Sequence, residues 1–151
     1  MKILHLYISP GHNFVGHHGK PAGDNPILSV PEIRCVAGKG IEGDRYFGHK
    51  EDYKGQITFF AFEVYHALCE YFGIPGLDPF VFRRNVITRD VDLNALIGQP
   101  FEIQGVKFQG VEECRPCYWM NQAVSAGAED FLKGRGGLRA RILSDGILKL
   151  S

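Results

Sequence analysis

No apolar run in this 151-residue sequence approaches the ~20 residues that a helix needs to cross a bilayer. Met1 to Pro10 alternates as a strand does, without the charged start and apolar block of an export signal. Charge of one sign is missing too. Seventeen basic and seventeen acidic side chains formally cancel (Lys+Arg 17, Asp+Glu 17), which leaves no global field to hold nucleic acid or an anionic membrane through counterion release. Any anion must be recognised locally. The four cysteines, Cys35, Cys69, Cys114 and Cys117, are too few and too irregularly spaced for the staple framework of a secreted mini-domain. These absences point to a soluble, unexported protein with free thiols in a reducing cytoplasm. Repeats, low-complexity tracts and any flavin, haem or nicotinamide fingerprint are also absent, so redox turnover would need a partner to deliver electrons.

A chain of this length is expected to form one domain, residues 1–151, around its own core. Ile3 to Ile8 reads as an opening strand, and Ser9 to Pro26 as a long loop rich in Gly, His, Asn and Pro. Ile27 to Ala37 is strand-like but broken by Pro31, and Gly38 to Gly48 is a second glycine-dense loop. A short strand over Gln56 to Phe60 precedes the clearest helix, Ala61 to Phe72, whose apolar residues recur at helical spacing until Gly73. Phe82 to Thr88 reads as a strand and Asp92 to Gly98 contains a helical turn. Gln104-Gly105 joins Pro100–Ile103 to Val106–Glu112 as a hairpin, and Tyr118 to Leu132 is helical with a break near Ser125 to Gly127. Leu138–Leu143 and Ile147–Leu150 are expected to pair around Ser144-Asp145-Gly146. The class is therefore mainly β (α+β), a β-barrel or strongly bent sheet with a few short helices.

Chemistry concentrates in a few clusters. In Cys114-Arg115-Pro116-Cys117 a strand gives way to a helix, and proline favours the first helical position. That puts Cys117 in the first turn, where the helix dipole and unpaired amides favour thiolate, with Arg115 adding to the effect. Cys114, beside two glutamates, lacks that environment, so the chemistry is placed on Cys117 as nucleophile or soft-metal ligand. The same pair could be half of a zinc site completed by histidines, or a redox couple, although the βαβ context of the latter is absent. Cys35 and Cys69 read as core.

In Phe82-Arg83-Arg84-Asn85-Val86-Ile87-Thr88 strand alternation sends Arg83 and Asn85 to one face and Arg84 to the other. Arg83 and Asn85 then either face a phosphate or heterocycle or belong to a solvated edge or an ion pair with Asp44 or Glu113. Arg45, in Glu42 to Gly48, and Arg139, after the Gly134 to Gly137 turn, are further basic positions in glycine-rich loops. The second turn leads into a strand and so lacks the helix of a nucleotide-binding fingerprint. His12, His17 and His18 suggest a metal, yet nothing fixes their mutual geometry, and solvent or substrate contact suits them better.

Taken in order, Gly40-Ile41-Glu42-Gly43-Asp44-Arg45 with Gly48, Phe82 to Thr88 followed by Asp92-Leu93 and Ile97-Gly98, Cys114-Arg115-Pro116-Cys117, and Gly134 to Gly137 leading into Arg139-Ala140-Arg141 resemble the MOSC domain. The resemblance spans about two-thirds of the chain and implies a barrel-like β fold that binds the molybdenum cofactor, molybdopterin. It implies Cys117 as metal ligand or sulfur carrier and Arg83, Asn85, Arg45, Arg115, Arg139 and Thr88 around the cofactor. Two activities follow: the metal-binding part of a molybdoenzyme reducing N-hydroxylated compounds with a partner electron donor, or a persulfide carrier loaded by a pyridoxal-phosphate cysteine desulfurase. Neither reading calls for nucleic acid or a membrane.

Overall fold

The structure, a computed structural model, describes residues 1–11 and 26–151, so the expectations for His12, His17 and His18 lie outside the described residues. The strands are β1 (Lys2–Ile8), β2 (Leu28–Ser29), β3 (Glu32–Val36), β4 (Gly40–Ile41), β5 (Ile57–Ala61), β6 (Val86–Arg89), β7 (Pro100–Ile103), β8 (Val106–Glu113), β9 (Leu138–Ile142) and β10 (Gly146–Lys149). Three short helices, α1 (Phe62–Phe72), α2 (Trp119–Ala123) and α3 (Ala128–Leu132), and two 3₁₀ turns, Pro79–Phe82 and Leu93–Leu96, complete the elements.

Seven strands form one sheet in the order β2-β1-β6-β5-β9-β8-β7, and three form another, β10-β3-β4. The mainly β, α+β class holds, but among the described residues neither sheet closes into a barrel: β2 and β7 remain end strands. Among the described strands only β5 and β6 run parallel, and α1 supplies the crossover such a pair requires. The helix ends at Gly73 in the left-handed conformation, with Ile74 N–H donating to Cys69 and Gly73 N–H to Glu70. That double bond satisfies carbonyls the last turn leaves open.

Alternation along the central strands divides the interior in two. Ile57 and Phe59 of β5, and Leu138, Ala140 and Ile142 of β9, join Ile33, Cys35, Ile41 and Leu148 of the small sheet in one cluster. Phe60 of β5 faces the other way, where it packs with Leu68 of α1, Met120 of α2 and Leu132 of α3. In β1, Ile3 and Leu6 fall in the same cluster although three residues apart. The register shift between Ile3 and His5 explains this, because a bulge inserts one residue into the alternation.

Three local expectations are corrected. Phe82 to Thr88 is not one strand: Phe82 ends a 3₁₀ turn, Arg83 adopts a left-handed φ of 57°, and β6 begins only at Val86. Arg83 and Asn85 therefore do not share a strand face. β9 and β10 do not pair with each other, since β9 lies between β5 and β8 while β10 pairs with β3. Both strands end in apolar alternation that two different sheets can use, and the partner was decided by the core between them. Lastly, α2 begins at Trp119, so Pro116 precedes the helix instead of opening it. The Gln104-Gly105 hairpin, with φ of 51° and 83°, and the broken α2–α3 segment match expectation.

Asn85 joins three strands where the chain enters β6. Its Oδ1 accepts from the backbone N–H and the hydroxyl of Thr58, both at 3.0 Å, and its Nδ2 donates to the carbonyl of Tyr7 at 3.2 Å. Removing this side chain strands a buried donor and a buried acceptor, each costing about 1–3 kcal/mol. Asn85→Ala is thus expected to lower the denaturant-unfolding free energy by about 3 kcal/mol, and a loss within experimental error of zero would remove Asn85 from this structural role. Cys35 is fully buried, and burial pushes its thiol up to about 12 from 9.0. Because the folded value exceeds the unfolded one, its contribution is complete below pH 9 and is lost as pH rises towards 12. The unfolding midpoint should fall over that window, and fall less steeply in Cys35→Val; identical profiles would show that Cys35 does not carry the effect.

Candidate functional site

The same alternation that buries Ile57 and Phe59 turns Thr58 to the opposite face of the large sheet. Thr58 stands opposite Arg139 in the β5–β9 register, and Arg139 stands opposite Glu112 in the β8–β9 register. These three side chains are the sheet's contribution to the site. A loop covers them. Its anchor is Asp44, whose nearly inaccessible carboxylate accepts from Ser9 N–H at 2.9 Å and Tyr46 N–H at 3.4 Å and pairs with Arg45 at 3.5 Å. The Arg45 N–H donates to the Ser9 carbonyl at 2.7 Å, fixing the loop to the end of β1.

The left-handed turn at Arg83 sends both arginines of the Arg83-Arg84 pair into this region. Arg84 donates to the carbonyls of Phe82 at 2.7 Å, Gly136 at 3.1 Å and Cys114 at 3.2 Å. It is a brace between segments. Arg83 donates to the Ser9 hydroxyl at 3.2 Å and the Gly11 carbonyl at 3.3 Å.

The result is a solvent-open cleft with about 330 Å3 of space, lined by Arg45, Arg83, Arg84 and Arg139 together with Tyr46, Tyr53, Gly55, Thr58 and Cys114. Tyr46 and Tyr53 stack at 5.3 Å, and the Arg45 guanidinium lies 4.7 Å over the Tyr46 ring. Concentrated positive charge shows in the ionisation. Burial, followed by repulsion from Arg45, brings Arg83 down to about 10. Burial would also lower Arg139, but Cys114, Tyr53 and Glu112 beside it hold it above the ordinary arginine value. Glu112 is held below the usual carboxylate range by its bond from Lys54 at 2.7 Å, against the effect of burial, with Arg139 at 3.9 Å adding to it.

The two neighbouring cysteines occupy different settings. Cys114 is only 5% exposed and lines the cleft. Its N–H donates to Gly137 at 2.8 Å and its carbonyl receives Arg84. Gly136 lies so close that a Cβ there would stand 2.3 Å from the Cys114 oxygen and 2.9 Å from Pro116 Cδ. Only glycine fits. Cys117, by contrast, is exposed and is not among the cleft-lining residues. Its carbonyl accepts from Met120 N–H at 2.9 Å, and it stands two residues before α2 begins at Trp119. The helix-start argument that separated the two thiols thus has no counterpart in the fold. Of the two glutamates beside Cys114, Glu112 is engaged by Lys54 and Glu113 accepts from Gly136 N–H at 3.1 Å.

Of the expected site residues, Arg83, Arg45 and Arg139 come together in the cleft. Asn85 is buried beside it with its amide committed to Thr58 and Tyr7. Thr88 is fully buried within β6, its hydroxyl 3.4 Å from the Phe60 carbonyl, and Arg115 is exposed outside the lining. Sequence reasoning missed Arg84, Cys114, Thr58, Tyr46 and Tyr53. Thr58 was findable as the polar member of an apolar alternating strand, and the tyrosines as aromatics in a charged glycine loop. Arg84 and Cys114 depended on chain turns that the sequence does not advertise. Cys35 is core as expected, whereas Cys69 is half-buried.

Among the described residues no three His, Cys, Asp or Glu side chains gather as a metal site, which leaves the zinc alternative without ligands there. Among the described residues no helix is long and apolar enough to cross a membrane. Two roomier concavities exist, one beside Asp92 and Arg135 and one beside His5 and Asp78. In the first, Asp92 and Glu63 already accept backbone amides; in the second, Asp78 accepts Phe80 N–H and the Tyr7 hydroxyl. Neither combines a thiol with clustered cations.

Comparison with solved structures gives YuaD from Bacillus subtilis, with a TM-score of 0.74 and 19% identity, covering 99% of this chain and 91% of that one. YiiM from Escherichia coli follows at 0.66 and 18%, covering 99% of this chain and 66% of its own length. YiiM from Geobacillus stearothermophilus gives 0.70 and 14%, with 98% and 70% covered. At these identities the likeness establishes the fold. A search of curated protein sequences finds no match. The MOSC domain, however, matches residues 17–150, nearly the whole chain including every cleft-lining segment, and on that extent the protein belongs to the MOSC domain family.

Proposed function

We propose that this protein binds a molybdopterin-type cofactor in the arginine-lined cleft. The observation that carries the reading is the convergence of Arg45, Arg83, Arg84, Arg139 and a buried thiol in one open cleft of a chain whose family includes molybdenum-cofactor-binding proteins. The donor set suits such a group. Four guanidinium groups face two paired carboxylates, Asp44 and Glu112, so an added phosphate relieves repulsion as well as gaining charge-assisted bonds. Arg45 and Arg139, bound to their carboxylates at the long distances of 3.5 and 3.9 Å, are the forks assigned to the phosphate. Arg84, committed to three carbonyls, holds the wall in place. Tyr46 and Tyr53 border the space for a flat heterocycle.

Cys117 remains the thiolate assigned to the metal, because it matches the family motif and stands three residues from cleft-lining Cys114. A cofactor that brings its own sulfur ligands needs a single protein thiolate. When bound, the cofactor would supply two-electron oxygen-atom chemistry, such as reduction of an N-hydroxylated compound with electrons from a partner protein. The chain's own residues bind and orient it: the arginines fix the phosphate, and the Asp44 anchor keeps the covering loop in place.

A second reading, the persulfide carrier, is favoured by the exposure of Cys117, since a thiol loaded by a desulfurase must be reachable by another protein's active site. That partner, and its pyridoxal phosphate, belong to this reading alone.

Reconstitution with cofactor followed by elemental analysis separates these ideas. Arg139→Gln and Arg45→Gln are expected to weaken molybdenum retention at least about tenfold each, the value of one charge-assisted bond. Cys117→Ser should lose most of the metal and Cys114→Ser should keep it. Undiminished retention in both arginine variants would overturn the cleft as the binding site, and equal retention in the two cysteine variants would overturn Cys117 as ligand.

A further inference from the structure

Cys114 and Cys117 are both free thiols, three residues apart, and they differ in almost everything else. Cys117 is exposed. Cys114 is buried and lines the cleft together with Arg45, Arg83, Arg84 and Arg139. The Cys114 end of the segment is fastened on both sides, by Gly137 at 2.8 Å and Arg84 at 3.2 Å, and Gly136 packs against its carbonyl and Pro116. Residues 114–117 belong to neither strand nor helix. A thiol reachable from outside is therefore tethered to one sheltered beside cations, at the C-x-x-C spacing known to let two sulfurs react with each other.

We infer that the two cysteines form a sulfur relay, in which Cys117 accepts a sulfane sulfur at the surface and passes it to Cys114 inside the cleft. This rests on the persulfide reading of the site and adds to it the destination of the sulfur. The first step is attack of the Cys117 thiolate on the outer sulfur of a persulfide donor, RSSH. A bond forms between Cys117 Sγ and that sulfur, the donor's S–S bond breaks, and the donor leaves as a thiolate that takes up a proton. In the second step Cys114 Sγ, as thiolate, attacks the same outer sulfur. The new Cys114 S–S bond replaces the Cys117 one, and Cys117 is returned as thiolate. One sulfur atom moves in each step, and no net oxidant or reductant is needed.

Arg139 is a positioning residue here. Its guanidinium lines the cleft beside Cys114 and supplies N–H donors to a persulfide anion held there. The sheltered position serves a second end, because a persulfide held away from bulk solvent meets fewer competing thiols.

The test loads the full-length protein with glutathione persulfide, quenches at intervals with an alkylating agent and maps the added sulfur by peptide mass spectrometry. In the parent, sulfur is expected first on Cys117 and then predominantly on Cys114. Cys114→Ser and Cys114→Ala should each stop it at Cys117, the pair guarding against a variant that fails to fold. Cys117→Ser should slow loading of Cys114 at least tenfold. Arg139→Gln, with both thiols intact, should leave sulfur on Cys117, and Arg139→Lys should restore its passage to Cys114. Sulfur confined to Cys117 in the parent, or equally fast loading of Cys114 without Cys117, overturns the relay while leaving a carrier. Conversion to a Cys114–Cys117 disulfide with release of hydrosulfide overturns it too, since the attack then falls on the inner sulfur. Sulfur on neither cysteine overturns the carrier reading itself.

Discussion

The carboxamide of Asn85 bonds to β1 through Tyr7 and to β5 through Thr58 at the point where the chain turns out of Arg83 and into β6. Both lone pairs of its oxygen are occupied, and the Tyr7 N–H returns a bond to the Asn85 carbonyl at 2.8 Å. The amide thus does the work of a strand ladder where regular pairing has stopped. That substitution is what frees Arg83 and Arg84 from a strand's alternation. A regular strand would send them to opposite faces; the left-handed turn before Asn85 brings both into one cleft.

Gathering four guanidinium groups in a partly buried place is electrostatically unfavourable unless the structure compensates for it. The compensation here is distributed. Arg84 is held by carbonyls, Arg45 pairs with Asp44, Arg139 pairs with Glu112, and Arg83 donates to the Ser9 hydroxyl and the Gly11 carbonyl, although burial and Arg45 still bring Arg83 down to about 10. Because total charge on the chain is zero, this concentration of positive charge is a property of the cleft and not of the protein's outer field.

Much of the architecture could be read directly. The period of Phe62, Tyr65, Leu68 and Phe72 with Gly73 beyond it marked α1, and Gln104-Gly105 between alternating runs marked the β7–β8 hairpin. Those signals are local: they depend on 3.6-residue or two-residue periods and on the φ values that a turn demands. The failures were of another kind. Leu138–Leu143 and Ile147–Leu150 have the pattern of a hairpin, but their partners were set by which sheet each apolar face could bury against. Likewise Phe82 to Thr88 has the apolar alternation of a strand, and a side-chain amide overrode it for its first half.

By itself, the sequence determined most of the secondary elements, the α+β class and, through the order of its glycine and arginine clusters, the family. It also placed Arg45, Arg83 and Arg139 among the site residues, since charges beside glycine turns or inside apolar runs must be used somewhere. Tertiary structure alone decided that Arg84 joins them, that Asn85 and Thr88 are structural in their contacts, and that Cys114, not Cys117, is the thiol enclosed by the cations. The physical reason is that burial and electrostatic environment are set by segments far apart in the chain. Cys114 owes its surroundings to β5, β9, the Arg83-Arg84 turn and the loop behind Asp44, and no spacing within Cys114-Arg115-Pro116-Cys117 encodes them.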